Sequence, residues 1–155
     1  MKSTVIQQVP LRLITVKAQS FPEGIRAAWQ EIELKRAIKG RKAYGLICTT
    51  EAGMEYCAGL VSDGELEERV TGLPVVEVPG GPCARIKLEN WKSKLDEIGG
   101  LFVQMAAEHE VDSSRPAMEF YRGFAELHLL LPVKDETGDL GNRFAHRVRP
   151  TVCKR

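Results

Sequence analysis

The chain has 155 residues, 43% hydrophobic and 28% charged, which suits one globular domain with a real core and excludes a disordered or fibrous chain. Its formal net charge of +1 supplies no overall field that would draw it to nucleic acid or to an anionic membrane. Cys48, Cys57, Cys83 and Cys153 form no Cys-x-x-Cys pair and three lie in strand-like segments, which fits reduced thiols in a cytoplasmic protein.

The opening "MKSTVIQQVPLRLITVK" has no unbroken apolar core and no cleavage-site pattern, so it does not read as a signal peptide. No apolar run approaches the length of a membrane span. Residues 4–17 read as a strand, with Pro10 marking a bulge or an edge. A helix follows: Ser20 and Glu23 are spaced as a capping box, Gly40 supplies a stop, and Ile25, Ala28, Trp29 and Ile32 form one apolar stripe. Two strands come next, near 42–50 and 54–61, and then an acidic segment, 62–73, that reads as a loop.

The order then repeats. "PVVEVPGGPCARIKLE" is a strand interrupted by a Gly-Pro segment, and Val78-Pro79 echoes Val9-Pro10. A helix over about 93–110 carries Leu95, Ile98, Phe102 and Met105 as its stripe. Gly99 and Gly100 each weaken it by about 1 kcal/mol relative to alanine, and mark a kink or a close approach of another surface. A hairpin, "AMEFYRGFAELHLLLPVK", closes the unit. The expected fold is therefore α+β: βαββ units in duplicate over 4–62 and 74–134, related by a pseudo-twofold, with an antiparallel sheet, two main helices and a central ligand cleft. Residues 1–134 form a single domain, and 135–155 a basic tail that either frays or touches nucleic acid.

With Gly123-Phe124 as a two-residue turn, Tyr121 faces Glu126 and Glu119 faces His128. All four then project from one side of the hairpin, with Met118, Phe120, Leu127, Leu129 and Leu131 on the other. That polar row is either the wet face of a half-buried sheet or the floor of a pocket for a cationic or amphipathic molecule. A buried carboxylate there would have a raised pKa and suit acid–base work.

The stretch "VVEVPGGPCARIKLENW" followed by "MEFY…ELHLLLPVK" resembles the GyrI-like (gyrase-inhibitory-protein-like) small-molecule-binding domains, also found as effector-binding modules of bacterial transcription activators. Glu119 and Tyr121 match the family's "xExY" strand, and Pro132-Val133 its ending. The resemblance covers roughly residues 4–134. It implies a cleft between the repeats that takes hydrophobic or cationic drugs through an acidic residue on its floor. Relatives often carry Glu four residues before the closing proline; here that position is His128, and Glu126 could substitute. The implied ligand-binding set is Glu119, Tyr121, Glu126 and His128. Trp91 either walls the cleft or belongs to core or rim, and Tyr44 and Tyr56 either face it or are plain strand residues.

Three functions compete. The first is a stand-alone domain for sensing or sequestering small molecules. The second follows family members that look like hydrolases of cyclopropane-containing compounds, with Glu119, Glu126 and Tyr121 as the catalytic set. The third is a protein-interaction role such as gyrase inhibition. No cofactor or metal is implied: three scattered histidines offer no clear haem ligand, and "EHE" at 108–110 lacks metal-ligand spacing. "PGGP" at 79–82 is no phosphate loop, because a strand follows it. No nucleophile elbow is present. No segment is free for a helix-turn-helix, so direct nucleic-acid binding is not expected. Oligomeric state is open.

Overall fold

The chain places β1 at Thr4–Gln8, β2 at Leu11–Lys17, α1 at Ile25–Lys35, β3 at Ala43–Thr50, β4 at Gly53–Val61 and α2 at Glu65–Thr71. Then come β5 at Val75–Val78, β6 at Gly81–Glu89, α3 at Ile98–Glu108, β7 at Ala117–Tyr121 and β8 at Glu126–Pro132. This computed structural model describes residues 2–135; the basic tail expected at the C-terminus lies outside them from 136 onward. All eight strands join one antiparallel sheet in the order β1-β6-β8-β7-β3-β4-β2-β5.

That order is a palindrome of the duplication. The second, third and fourth strands of each repeat sit together, and β3 meets β7 at the centre in a register that runs evenly on either side of Gly45↔Glu119. The first strand of each repeat crosses over to the other: β1 pairs with β6, and β5 with β2. Six strand spacings separate β1 from β2 along the sheet, about 29 Å if it were flat. Only Val9 and Pro10 connect them, a link that reaches about 10 Å. The sheet must therefore curl until its two ends meet. Pro79 and Gly80 make the matching link between β5 and β6, and the two links cross: a Cβ on Gly80 would sit 2.7 Å from the Gln8 carbonyl oxygen and 2.9 Å from Pro10 Cδ. The echo between the two proline breaks is thus the pair of crossing points.

Curling gives the sheet two buried faces. The inner one gathers Leu11, Leu13, Tyr44, Leu46, Met118 and Leu130 with Ile6 from the far edge. The outer one carries the helices. Ala28 and Ile32 of α1 pack over Ile14, Tyr56 and Leu60, and Met105 of α3 over Ile86, Leu127 and Leu129. Ile32 and Met105 are each the eighth residue of their helix and fully buried.

Several expected elements shift. The Ser20/Glu23 capping box does not form, since the helix opens one turn later with Gly24 as an uncapped start and ends at Lys35, before Gly40. The second helix begins at Ile98; residues before it form two 3-10 turns, Trp91–Ser93 and Leu95–Glu97. Gly99 and Gly100 mark no close approach, because nothing lies within 4 Å of a Cβ at either. The acidic segment contains a helix, α2, whose Glu67 binds Arg36 and Arg41 and whose Glu68 binds Arg12. Cys57 and Cys83 are buried free thiols, whereas Cys48 is disulfide-bonded, against expectation. Among the described residues no helix is long and apolar enough to cross a membrane.

The hairpin register is the largest correction. Tyr121 pairs with Leu127, Phe120 with His128 and Glu119 with Leu129, a slip of one residue from the two-residue turn. The expected alternation presumed one wet face. Both faces are buried here, so Leu127, Leu129 and Leu131 pack under α3 while Leu130 joins the inner core, which is how a strand covered on both sides reads. The slip separates the polar row: Glu119 and Tyr121 face outward, and Glu126 and His128 face inward.

Candidate functional site

Between α1 and α3 the outer face opens into a cleft of about 2040 Å³. Its floor is the central strand pair, which contributes Ala43 and Ile47 from β3 and Ala117, Glu119 and Tyr121 from β7. Small residues at Ala43, Gly45 and Ala117 keep that floor low, and the widely spaced helices leave it uncovered. The walls are aromatic. Trp29 and Phe102, each the fifth residue of its helix, line opposite sides. Phe21 and Trp91 come from the connectors that precede α1 and α3, so the pseudo-twofold repeats the box as well as the sheet.

Glu119 lies at the centre of this box and is 8% exposed. Tyr121 Oη donates to its Oε1 at 3.2 Å. Tyr121's one proton is thereby committed, so Tyr56 Oη, 3.1 Å away, donates to Tyr121. Trp29 Nε1 in turn donates to Tyr56 Oη at 2.9 Å. The result is a directed chain from indole to carboxyl. Gly45 is what admits it: a Cβ there would stand 2.2 Å from Tyr56 Oη. Ring contacts fix the same groups. Tyr121 meets Trp29 edge-on at 5.2 Å and Trp91 at 5.4 Å, and Tyr56 stacks on Phe21 at 6.1 Å.

Burial pushes the Glu119 carboxyl above the usual range, partly opposed by the Tyr121 hydrogen bond and the nearby Tyr56 hydroxyl. Both tyrosines are raised as well, first by burial, so they are neutral donors at any ordinary pH. The Trp91 indole N–H is shielded and has no acceptor among the described residues, although buried donors nearly always find one.

Of the residues singled out from sequence, Glu119, Tyr121 and Trp91 line the cleft and Tyr56 backs its floor. Tyr44 lies on the inner face, stacked on Phe120 at 4.7 Å. His128 is there too, edge-on to Phe120 and bonded through Nε2 to Glu126 Oε2 at 2.8 Å. Glu119 and Glu126 therefore do not converge. Three residues escaped sequence reasoning: Trp29 and Phe102, each taken as part of a core stripe, and Phe21. The signal was the duplication itself, since matched aromatic positions in two repeats face the same axis. No group of three or more His, Cys, Asp or Glu able to hold a metal occurs among the described residues.

No family model matches the chain, and no curated protein does. Solved structures share the fold. The structure of SAV2435 bound to tetraphenylphosphonium is 17% identical, with a TM-score of 0.66, over 95% of this chain and 100% of that one. The EcmrR C-terminal domain is 12% identical, with a TM-score of 0.57, over 86% of this chain and 98% of that one. A hydrolase from Listeria innocua is 10% identical, with a TM-score of 0.52, over 86% and 92%. The duplicated fold implied by the GyrI-like resemblance is thus the fold observed.

Proposed function

We propose that this chain binds amphipathic cations in the cleft between α1 and α3, for sensing or sequestration. One observation carries the reading: a buried carboxyl with no ion-pair partner among the described residues stands at the centre of an aromatic box. Aromatic faces attract a cation by about 0.5–2 kcal/mol each when desolvated, and Trp29, Phe102 and Trp91 all line this cleft. The tetraphenylphosphonium bound by SAV2435 supports the choice of probe. The test is a thermal-shift titration with tetraphenylphosphonium. Glu119→Gln is expected to lower the affinity at least about tenfold, the worth of one lost charge contact. Glu126→Gln, on the opposite face, is expected to leave it unchanged. Equal affinity in wild type and Glu119→Gln removes the carboxyl from the account.

A second reading draws on the Glu119–Tyr121 contact. A carboxyl held above its ordinary pKa beside a phenol can act as a general acid on an electrophilic ring, with Glu119 alone in the role once given to two glutamates. Incubation with a cyclopropane-bearing substrate, followed by chromatography, decides it; no product after long incubation leaves binding alone.

A further inference from the structure

Two glutamates of this chain are equally shielded from solvent and partnered in opposite ways. Glu67, 8% exposed, receives Arg36 at 3.1 Å and Arg41 at 2.7 Å. Glu119, also 8% exposed, takes part in no ion pair among the described residues; its partners are tyrosine hydroxyls. A lone carboxylate in such surroundings costs several kcal/mol and takes up a proton instead.

The Tyr121 contact is not a short, charge-assisted one. A hydroxyl donating to an ionised carboxylate closes to about 2.5–2.7 Å, whereas Tyr121 Oη stands 3.2 Å from Glu119 Oε1. Among the described residues, the elements around Glu119 bring no charge against it. In register beside it, β3 supplies Gly45 and β8 supplies Leu129. The nearest titratable side chains are Tyr121 and Tyr56, and the helices add Trp29 and Phe102. The other charged residues that line the cleft are exposed at its rim, except Arg41, which is half-buried and paired with Glu67.

We propose that the cleft exchanges a proton for its cation. This rests on the binding reading above. In the empty cleft Glu119 is a carboxylic acid. As the cation enters, the acid O–H bond breaks, its electron pair stays on the carboxylate, and the proton leaves to solvent. No covalent bond to the ligand forms, and charge balances: one positive charge enters and one departs. Tyr121, held in place by Tyr56 and Trp29, then donates to an ionised oxygen and its contact shortens. Burial supports the starting state by holding the Glu119 carboxyl above the ordinary range. A consequence is selection by charge: a neutral molecule of the same shape leaves the proton in place and gains no ion pair.

The experiment is isothermal titration calorimetry with tetraphenylphosphonium between about pH 5 and about pH 8, where raised carboxylate pKa values fall, in two buffers of different ionisation heat. Below the Glu119 pKa, about one proton is released per cation bound, and affinity rises about tenfold per pH unit before levelling off. The infrared band of a protonated carboxyl disappears on adding the cation and is absent from Glu119→Gln. Equal heats in both buffers with a flat affinity overturn the exchange and leave cation binding intact. Proton release that persists in Glu119→Gln overturns the assignment to Glu119. No binding at any pH overturns the binding reading and the exchange with it.

Discussion

Glu119 pairs with Gly45 across the two strands at the centre of the sheet, so the acid of the cleft and the residue that makes room for its tyrosine partner share one rung. The pseudo-twofold passes through that rung and is broken there: one repeat supplies a carboxyl, the other an absence of side chain.

Gly45→Ala places a methyl against Tyr56 Oη. Tyr56 is fully buried and cannot swing away into solvent, so strain and a broken hydrogen-bond chain are expected to cost about 1–3 kcal/mol. Chemical denaturation followed by tryptophan fluorescence measures the loss. An unchanged midpoint means the floor relaxes freely.

Glu119→Gln is expected to stabilise the empty protein at neutral pH. The carboxyl's folded pKa lies above its unfolded value, so the wild type is favoured while protonated. It loses stability as pH rises from the ordinary carboxylate range through the folded pKa. Glutamine keeps the neutral form throughout. Melting temperatures across a pH series should show the variant ahead at neutral pH and the gap closing in acid; parallel curves mean that Glu119 ionises without penalty.

Glu67→Ala is the opposite case. Arg41 and Arg36 hold the Glu67 carboxyl below its ordinary range, so its contribution is present at neutral pH and fades as acid drives the pH down through the folded value. Removing it leaves two arginines without their shared partner. A cost of about 2–3 kcal/mol is expected, at the lower end for a buried pair because both arginines keep access to water. Urea melts at neutral and acid pH compare the two regimes.

Trp29→Phe and Trp91→Phe separate a bonded indole from an unbonded one. Trp29 donates to Tyr56, and its loss is expected to cost about 1 kcal/mol beyond ring area. Trp91 Nε1 has no acceptor among the described residues, so phenylalanine there is expected to forfeit area alone. Paired denaturation curves give the difference; equal costs mean that the Trp29 bond contributes nothing net.

Much of this was legible in the residues. Glu119 and Tyr121 stood out, and the two proline breaks announced a duplication. The register did not, because "ELHLLLP" is apolar on both faces and alternation cannot choose between them. Trp29 hid for a related reason: a tryptophan on a helical stripe looks the same whether it meets core or cleft. The helix α2 was hidden because its anchors, Arg12, Arg36 and Arg41, lie 26 or more residues before Glu68 or Glu67 in the chain, and its seven residues are too few to hold a helix alone.

The crossed links at Val9-Pro10 and Pro79-Gly80 also bear on ancestry and on folding. Each repeat lends its first strand to the other, so neither half can finish its own four strands. A single half is a molecule with one strand misplaced and one vacancy, and the partner that fits both is another copy of itself. The present chain has the form of such a strand-exchanged dimer fused end to end. It is also committed to folding late, since β1 finds β6 only after the second half has been made.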